Sequence, residues 1–192
     1  MAYVTDKFDE RIVELLQQGG VGLLPTDTIY GLSCQALDRI AVEKTHKIKR
    51  RDKTKPFVIL ISKIEQLNDL GIISTDIAAA LRYWPGSLTV ISPAEKAPDW
   101  LHMGTKTLAV RQPDHPGLRD LMDKVGPLVS TSANLAGGQP AESVKQAKGY
   151  FGDKLDFYVD AGRLSGLPST IIRKNNYKFE VLRQGAVKFK EG

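Results

Sequence analysis

Short apolar runs of strand length recur along this chain, and stretches of helical period lie between them, punctuated by Gly and Pro. Residues 21–24, 57–61, 88–91, 107–111, 128–130, 157–160, 169–173 and 179–182 read as strands. Residues 9–18, 38–51, 74–83, 115–125 and 142–151 read as helices, with Gly19-Gly20 stopping the first and Pro116 in the first turn of the fourth. Ser62-Lys63-Ile64-Glu65 has the spacing of a capping box opening a short helix that ends at Gly71. Interleaved elements with adjacent strands late in the chain predict an α/β fold, an open twisted mixed sheet with helices packed around it. No repeat, low-complexity tract or linker interrupts the pattern, so residues 1–192 are expected to form a single domain.

Charge and cysteine use narrow the class. The longest apolar run, 57–61, is far too short to span a bilayer, so no membrane is expected. The first ten residues carry Asp6, Asp9 and Glu10 and lack the pattern of a signal or transit peptide. A single cysteine, Cys34, allows no internal disulfide and fits a cytoplasmic location. The net charge of +5 favours an anionic partner, without separating a nucleotide from an RNA.

Polar segments that follow apolar strands are where open α/β sheets place ligand-binding loops. Thr26-Asp27-Thr28 and Tyr30, directly after a buried strand, suit either a ligand or a turn whose side chains bond their own backbone. Lys47, Lys49, Arg50, Arg51, Lys53 and Lys55 form a cation run that leads through Pro56 into a strand. Its position is therefore fixed, and forked Arg and mobile Lys suit a triphosphate, an RNA backbone, or simply a helix C-terminus. Arg111 ends a strand before two prolines, which aims it from a rigid base at a carboxylate ligand or at a structural ion-pair partner. Ser130-Thr131-Ser132-Ala133-Asn134, with Gly137-Gly138 beyond, brings hydroxyls and an amide to a strand end where backbone can approach a ligand closely.

Other chemistries lack their residues. His46, His102 and His115 show no metal-ligand spacing with each other or with Cys34, so no protein-held metal is expected. Neither phosphate-binding glycine signature is present, and Cys34 reads as a small buried hydrophobe. The residues thus describe a basic, hydroxyl-rich cleft for an anionic ligand.

Taken in order, these segments resemble the threonylcarbamoyl-AMP synthase family, which has the YrdC-like fold. The likeness is carried by Pro25-Thr26-Asp27-Thr28-Ile29-Tyr30-Gly31-Leu32, by Lys49-Arg50-Arg51 through Lys55-Pro56, by Trp84-Pro85-Gly86 with Leu88-Thr89, and by Val110-Arg111 through His115-Pro116. Ser132-Ala133-Asn134, Asp160-Ala161-Gly162, Ser169-Thr170 and Leu182-Arg183 with Gly185 complete it, from about residue 21 to 183. Asp52, Leu60 and Gly137 depart from residues common in the family, and the short C-terminal stretch implies the single-domain type.

The resemblance implies condensation of L-threonine, bicarbonate and ATP to threonylcarbamoyl-AMP and pyrophosphate, for N6-threonylcarbamoyladenosine in tRNA. It implies that Thr28, Arg111, Ser132 and Ser169 touch threonine, and that Arg51, Lys55, Thr107, Ser132, Asn134 and Arg183 hold ATP. Lys49 is implied beside the phosphates and reacting carboxylates, so Lys49 and Arg51 are the candidate catalytic residues. Mg²⁺ is expected with ATP. Expected partners are tRNA or double-stranded RNA and a separate threonylcarbamoyl-transferase complex. A non-enzymatic RNA-binding or ribosome-maturation protein is the alternative; it would use the charge but leave the Thr-Asp-Thr and Ser-Ala-Asn segments without a task.

Overall fold

In the computed structural model, which describes residues 1–52, 56–175 and 178–190, the apolar runs become strands of one sheet. Among the described residues these are β1 (Tyr3–Thr5), β2 (Gly22–Leu24), β3 (Gly31–Gln35), β4 (Val58–Leu60) and β5 (Leu88–Pro93). They continue with β6 (Thr107–Arg111), β7 (Leu128–Ser132), β8 (Phe157–Val159), β9 (Thr170–Asn175) and β10 (Lys178–Arg183). Their order across the sheet is β1-β8-β2-β3-β7-β4-β6-β5-β9-β10. The pairing is mixed as expected: β4 runs parallel to β6 and β5 to β9, whereas β3–β7, β4–β7 and β5–β6 are antiparallel.

Helix starts follow local chemistry. Asp9 caps α1 (Glu10–Gln17) by accepting the Ile12 N–H, and Asp38 caps α2 (Arg39–Lys49) by accepting from Ile40 and Ala41. His115 caps α5 (Pro116–Val125) and Ser143 caps α6 (Val144–Phe151). Two short helices, α3 (Ala78–Leu81) and α4 (Asp99–His102), lie between α2 and α5.

Several expectations need correction. The capping box at Ser62 does not form: Gln66, not Glu65, reaches back to the Ser62 N–H, and a 3-10 turn over Ile64–Leu67 replaces the helix. The coil starts one residue later than the spacing predicts, with Lys63 rather than Ser62 at the N-cap, so Glu65 falls one position short and Gln66 takes its place. The helix expected over 74–83 is a 3-10 turn, Ser74–Ile77, followed by the single turn of α3. Strands β1 and β3 and helix α4 lie outside the segments that the sequence pattern marks. β3 begins with glycine and holds Ser, Cys and Gln, residues with little strand preference; pairing on both sides, with β2 and β7, makes it a strand.

Side-chain alternation along the strands assigns the two faces of the sheet. Leu23, Leu32, Cys34, Ile59, Leu108, Val110, Val129, Tyr158 and Ile172 belong to one buried cluster, together with residues of α2, α4 and α6. Their strand neighbours Leu24, Leu60, Leu128, Phe157 and Val159 point the other way, into a second cluster formed with α1 and α5. Fully buried members such as Leu16, Leu24 and Phe157 each contribute about 1.5–3 kcal/mol relative to exposure. The first face is covered by α2, α4 and α6, while edge strand β10 stays largely exposed. On the second, α1 and α5 pack over one end only, and the remaining surface forms a cleft.

Candidate functional site

The cleft has a volume of about 390 Å³ and lies over the face of β7, β4, β6, β5 and β9. Alternate residues of β4 and β6 line it, Val58 and Leu60 on the first and Thr107, Ala109 and Arg111 on the second, with Ser130, Thr131 and Ser132 on β7, Ile91 on β5 and Ile171 on β9. Sequence reasoning placed ligands in loops beyond strand ends; the floor is instead a sheet face, rimmed by those loops. Of the apolar lining, Leu60 is among the departures from the family pattern, whereas Val58, Ile91, Ala109 and Ile171 escaped that reasoning because alternate apolar residues read as core. Period-two alternation within residues 107–111 was the available signal.

Thr26 organises the first rim loop. Its hydroxyl donates to the Ile29 carbonyl at 2.8 Å and accepts the Thr28 and Ile29 N–H groups at 3.2 Å each. This is the backbone-bonding turn read as one of the two possibilities, and it leaves Thr28 facing the cleft. Gly31 follows because a Cβ there would sit 2.6 Å from the Ser130 hydroxyl.

Arg111 has the structural ion-pair partner read as one of its two possibilities, and it also lines the cleft. Its Nη2 lies 2.5 Å from Asp27 Oδ2, with the two side chains 5% and 10% exposed. Nε donates to the Gly86 carbonyl at 2.9 Å and Nη1 to the Thr28 hydroxyl at 3.0 Å. Burial pushes this guanidinium below its ordinary value and Asp27 opposes the push; arginine stays charged throughout. Neither Nη2 nor Asp27 Oδ1 has an aligned hydrogen bond among the described residues. The Nη2–Oδ2 approach is therefore an ionic contact, with Nη2 itself buried away from solvent.

Arg51 leaves α2 through Arg50, which adopts a left-handed conformation with φ of 52°. Its guanidinium stacks over the Phe57 ring and donates to the Pro56 carbonyl at 3.1 Å, which holds it over the cleft. Arg183, at the end of β10, donates Nε and Nη2 to the Ser169 carbonyl at 3.1 and 2.8 Å. Gly185 lets this segment lie close, since a Cβ there would sit 2.1 Å from the Pro168 carbonyl oxygen. Burial and the field of Arg111 both hold Arg183 below its ordinary value. Among the described residues three guanidinium groups thus line one cleft whose lining holds no carboxylate, with Asp27 beneath it on Arg111, and the balance favours an anion.

The structure brings Thr28, Arg51, Thr107, Arg111, Ser132, Ser169 and Arg183 together as lining residues. Lys55 lies outside the described residues. Lys49 and Asn134 sit one layer behind. Lys49 is 3% exposed, and its ammonium donates to Asn134 Oδ1 at 2.9 Å, to the Asn134 carbonyl at 3.1 Å, and to the Ser132 carbonyl and hydroxyl. Asn134 in turn accepts from the Ser132 hydroxyl at 2.6 Å and donates to the carbonyls of Leu135 and Gly138. The pair braces the loop that presents Ser132. Burial, and then the charge of Arg51, lower the Lys49 pKa to about 8.

Other residues offer less chemistry. Cys34 is fully buried and its thiol is pushed up to about 12, so it is no nucleophile. Among the described residues no cluster of three His, Cys, Asp or Glu could hold a metal ion. No helix among them is long and apolar enough to cross a membrane.

The family model Sua5/YciO/YrdC, described as "Telomere recombination", matches residues 14–185. A threonylcarbamoyl-AMP synthase of Marinobacter nauticus is 40% identical over 161 residues, covering 80% of this chain and 84% of that protein. The structure of P. abyssi Sua5 complexed with L-threonine superposes with a TM-score of 0.85 at 30% identity, over 96% of this chain and 57% of that one. E. coli YciO shares the fold, with a TM-score of 0.84 at 24% identity over 97% of this chain and 96% of that one.

Proposed function

Because the chain belongs to the Sua5/YciO/YrdC family, we propose that it is an L-threonylcarbamoyladenylate synthase, a nucleotidyltransferase acting on L-threonine, bicarbonate and ATP. The observation that carries this reading is the single cleft in which Thr28, Arg111 and Ser169 share walls with Arg51, Thr107, Ser132 and Arg183. A hydroxyl-bearing pocket with a fixed guanidinium suits an amino-acid carboxylate, and further cations beside it suit a triphosphate. The relatives' names and the threonine complex of P. abyssi Sua5 support it. The non-enzymatic RNA-binding alternative leaves that arrangement without a task.

In this reading Thr28, Arg111, Ser132 and Ser169 hold threonine, and Arg51, Lys55, Thr107, Ser132, Asn134 and Arg183 form the ATP side. The threonine amine forms a C–N bond to the carbon of bicarbonate, and water leaves. A carbamate oxygen then attacks the α-phosphorus, the bond to the β-phosphate oxygen breaks, and pyrophosphate departs. These steps need neutralised charge and alignment more than a protein nucleophile. Arg51 supplies charge at the phosphates, and Lys49 supplies it from behind Ser132, one hydroxyl away from the cleft. Mg²⁺ enters on the triphosphate as part of the substrate, with phosphate oxygens and water as ligands.

The same proposal takes residues 1–192 as one YrdC-like domain working in the cytoplasm. A separate threonylcarbamoyl-transferase complex passes the product to tRNA, and the net charge of +5 suits tRNA or double-stranded RNA as a contact. Pyrophosphate release should require both L-threonine and bicarbonate. Equal release with threonine omitted removes the assignment.

A further inference from the structure

Thr89 is the second residue of β5, is fully buried, and places its hydroxyl oxygen 2.7 Å from that of Ser169. Oxygen positions alone leave the direction of this hydrogen bond open, but the neighbours decide it. The Thr89 hydroxyl makes no other hydrogen bond among the described residues, so its proton has Ser169 Oγ as its acceptor. The reverse arrangement would bury the Thr89 proton with nothing to accept it, the costlier outcome. Arg183 can only donate, and its Nη2 approaches the same Ser169 oxygen at 3.3 Å. With both lone-pair directions of Ser169 Oγ taken by donors, its own proton remains for the cleft that Ser169 lines.

We propose that Thr89 is a positioning residue that turns the Ser169 hydroxyl into a hydrogen-bond donor aimed at the carboxylate of the bound amino acid. A donor has no use for an ammonium group. The surrounding charge agrees: Ser169 sits on Arg183, which lies within the field of Arg111, so this end of the cleft is positive and attracts the anionic end of an amino acid. Two accepted hydrogen bonds also polarise the Ser169 O–H and strengthen its donation. The inference rests on the proposed function in taking L-threonine as the ligand.

Calorimetric binding of L-threonine and of ATP to the whole protein tests it. Thr89→Val, which replaces the hydroxyl by a methyl group, should weaken L-threonine binding about fivefold, the usual worth of one neutral hydrogen bond. ATP affinity should stay within about twofold, since the lost bond serves the amino-acid end. Thr89→Ser should bind L-threonine like the wild type. In a Ser169→Ala background Thr89→Val should add nothing. Independently of how Thr89→Val folds, Ser169→Ala should weaken L-threonine binding but leave binding of L-threoninol, which lacks the carboxylate, unchanged. Unaltered L-threonine affinity in a folded Thr89→Val protein overturns the proposal, and so does an equal Ser169→Ala penalty with both ligands. A wild-type protein that binds no L-threonine overturns the function reading itself.

Discussion

Arg111 and Asp27 meet at the floor of the cleft with 2.5 Å between Nη2 and Oδ2, although β6 and the loop after β2 lie far apart in the chain. Nε and Nη1 are committed to Gly86 and Thr28, while Nη2 meets the carboxylate without hydrogen-bond alignment. A buried pair of this kind adds little net stability, but losing one partner leaves the other charge stranded.

Arg111→Lys should therefore act twice. Lysine keeps the charge but not the planar fork, so threonine use should weaken about tenfold or more, roughly 1.4 kcal/mol. The bonds to Gly86 and Thr28 cannot both be kept, so the melting temperature should fall as well, while ATP binding changes little. Steady-state kinetics in threonine, read beside a melting curve, check this; a lowered melting point with a normal threonine response leaves Arg111 a purely structural role.

Asp27→Asn should destabilise the fold by about 3 kcal/mol, because it leaves the Arg111 charge buried without its counterion. Denaturant unfolding measures it. A change within about 0.5 kcal/mol, as at ordinary surface positions, would mean that solvent reaches the pair.

For Arg51→Ala, loss of a charged contact to phosphate should cost ATP binding roughly 1.5–3 kcal/mol. Its stacking on Phe57 and bond to the Pro56 carbonyl add a smaller stability loss. Calorimetry with ATP decides: unchanged affinity would make the cation run a solvated helix end.

Much of this site can be read from the sequence, because its polar groups sit in short motifs after apolar strands. Thr28, Arg51, Thr107, Arg111, Ser132, Ser169 and Arg183 all line one cleft. What could not be read is long-range partnership. Arg111 and Thr28 are 83 positions apart, as are Lys49 and Ser132, and no local period encodes either pair. Nothing local marks Lys49, one cation of a run, as the buried one. Its burial follows from the loop that returns over it after β7. The fold class was legible for the opposite reason, since apolar alternation and helix caps are local, whereas β3 needed its two neighbours to become a strand.

Lys49 yields the last prediction, because its two consequences run in opposite directions with pH. As an ammonium it has three protons to share among the Ser132 and Asn134 oxygens; as a neutral amine it has two, and the loop presenting Ser132 loosens. With a pKa of about 8, kcat/KM for ATP should fall as pH rises through that value. Stability should move the other way. The folded pKa lies below the ordinary lysine value of 10.5, so between about 8 and 10.5 the unfolded chain holds more protons at this position. The contribution of Lys49 to stability is therefore fully present above that window and lost as pH falls through about 8, where the charge must be buried. Lys49→Met removes the titrating group, so the difference in unfolding free energy between wild type and variant should change with pH across this window and be flat below it. A wild-type rate that stays level past pH 10, or a difference independent of pH, would show that Lys49 keeps the ordinary lysine value and that its charge does not govern the loop.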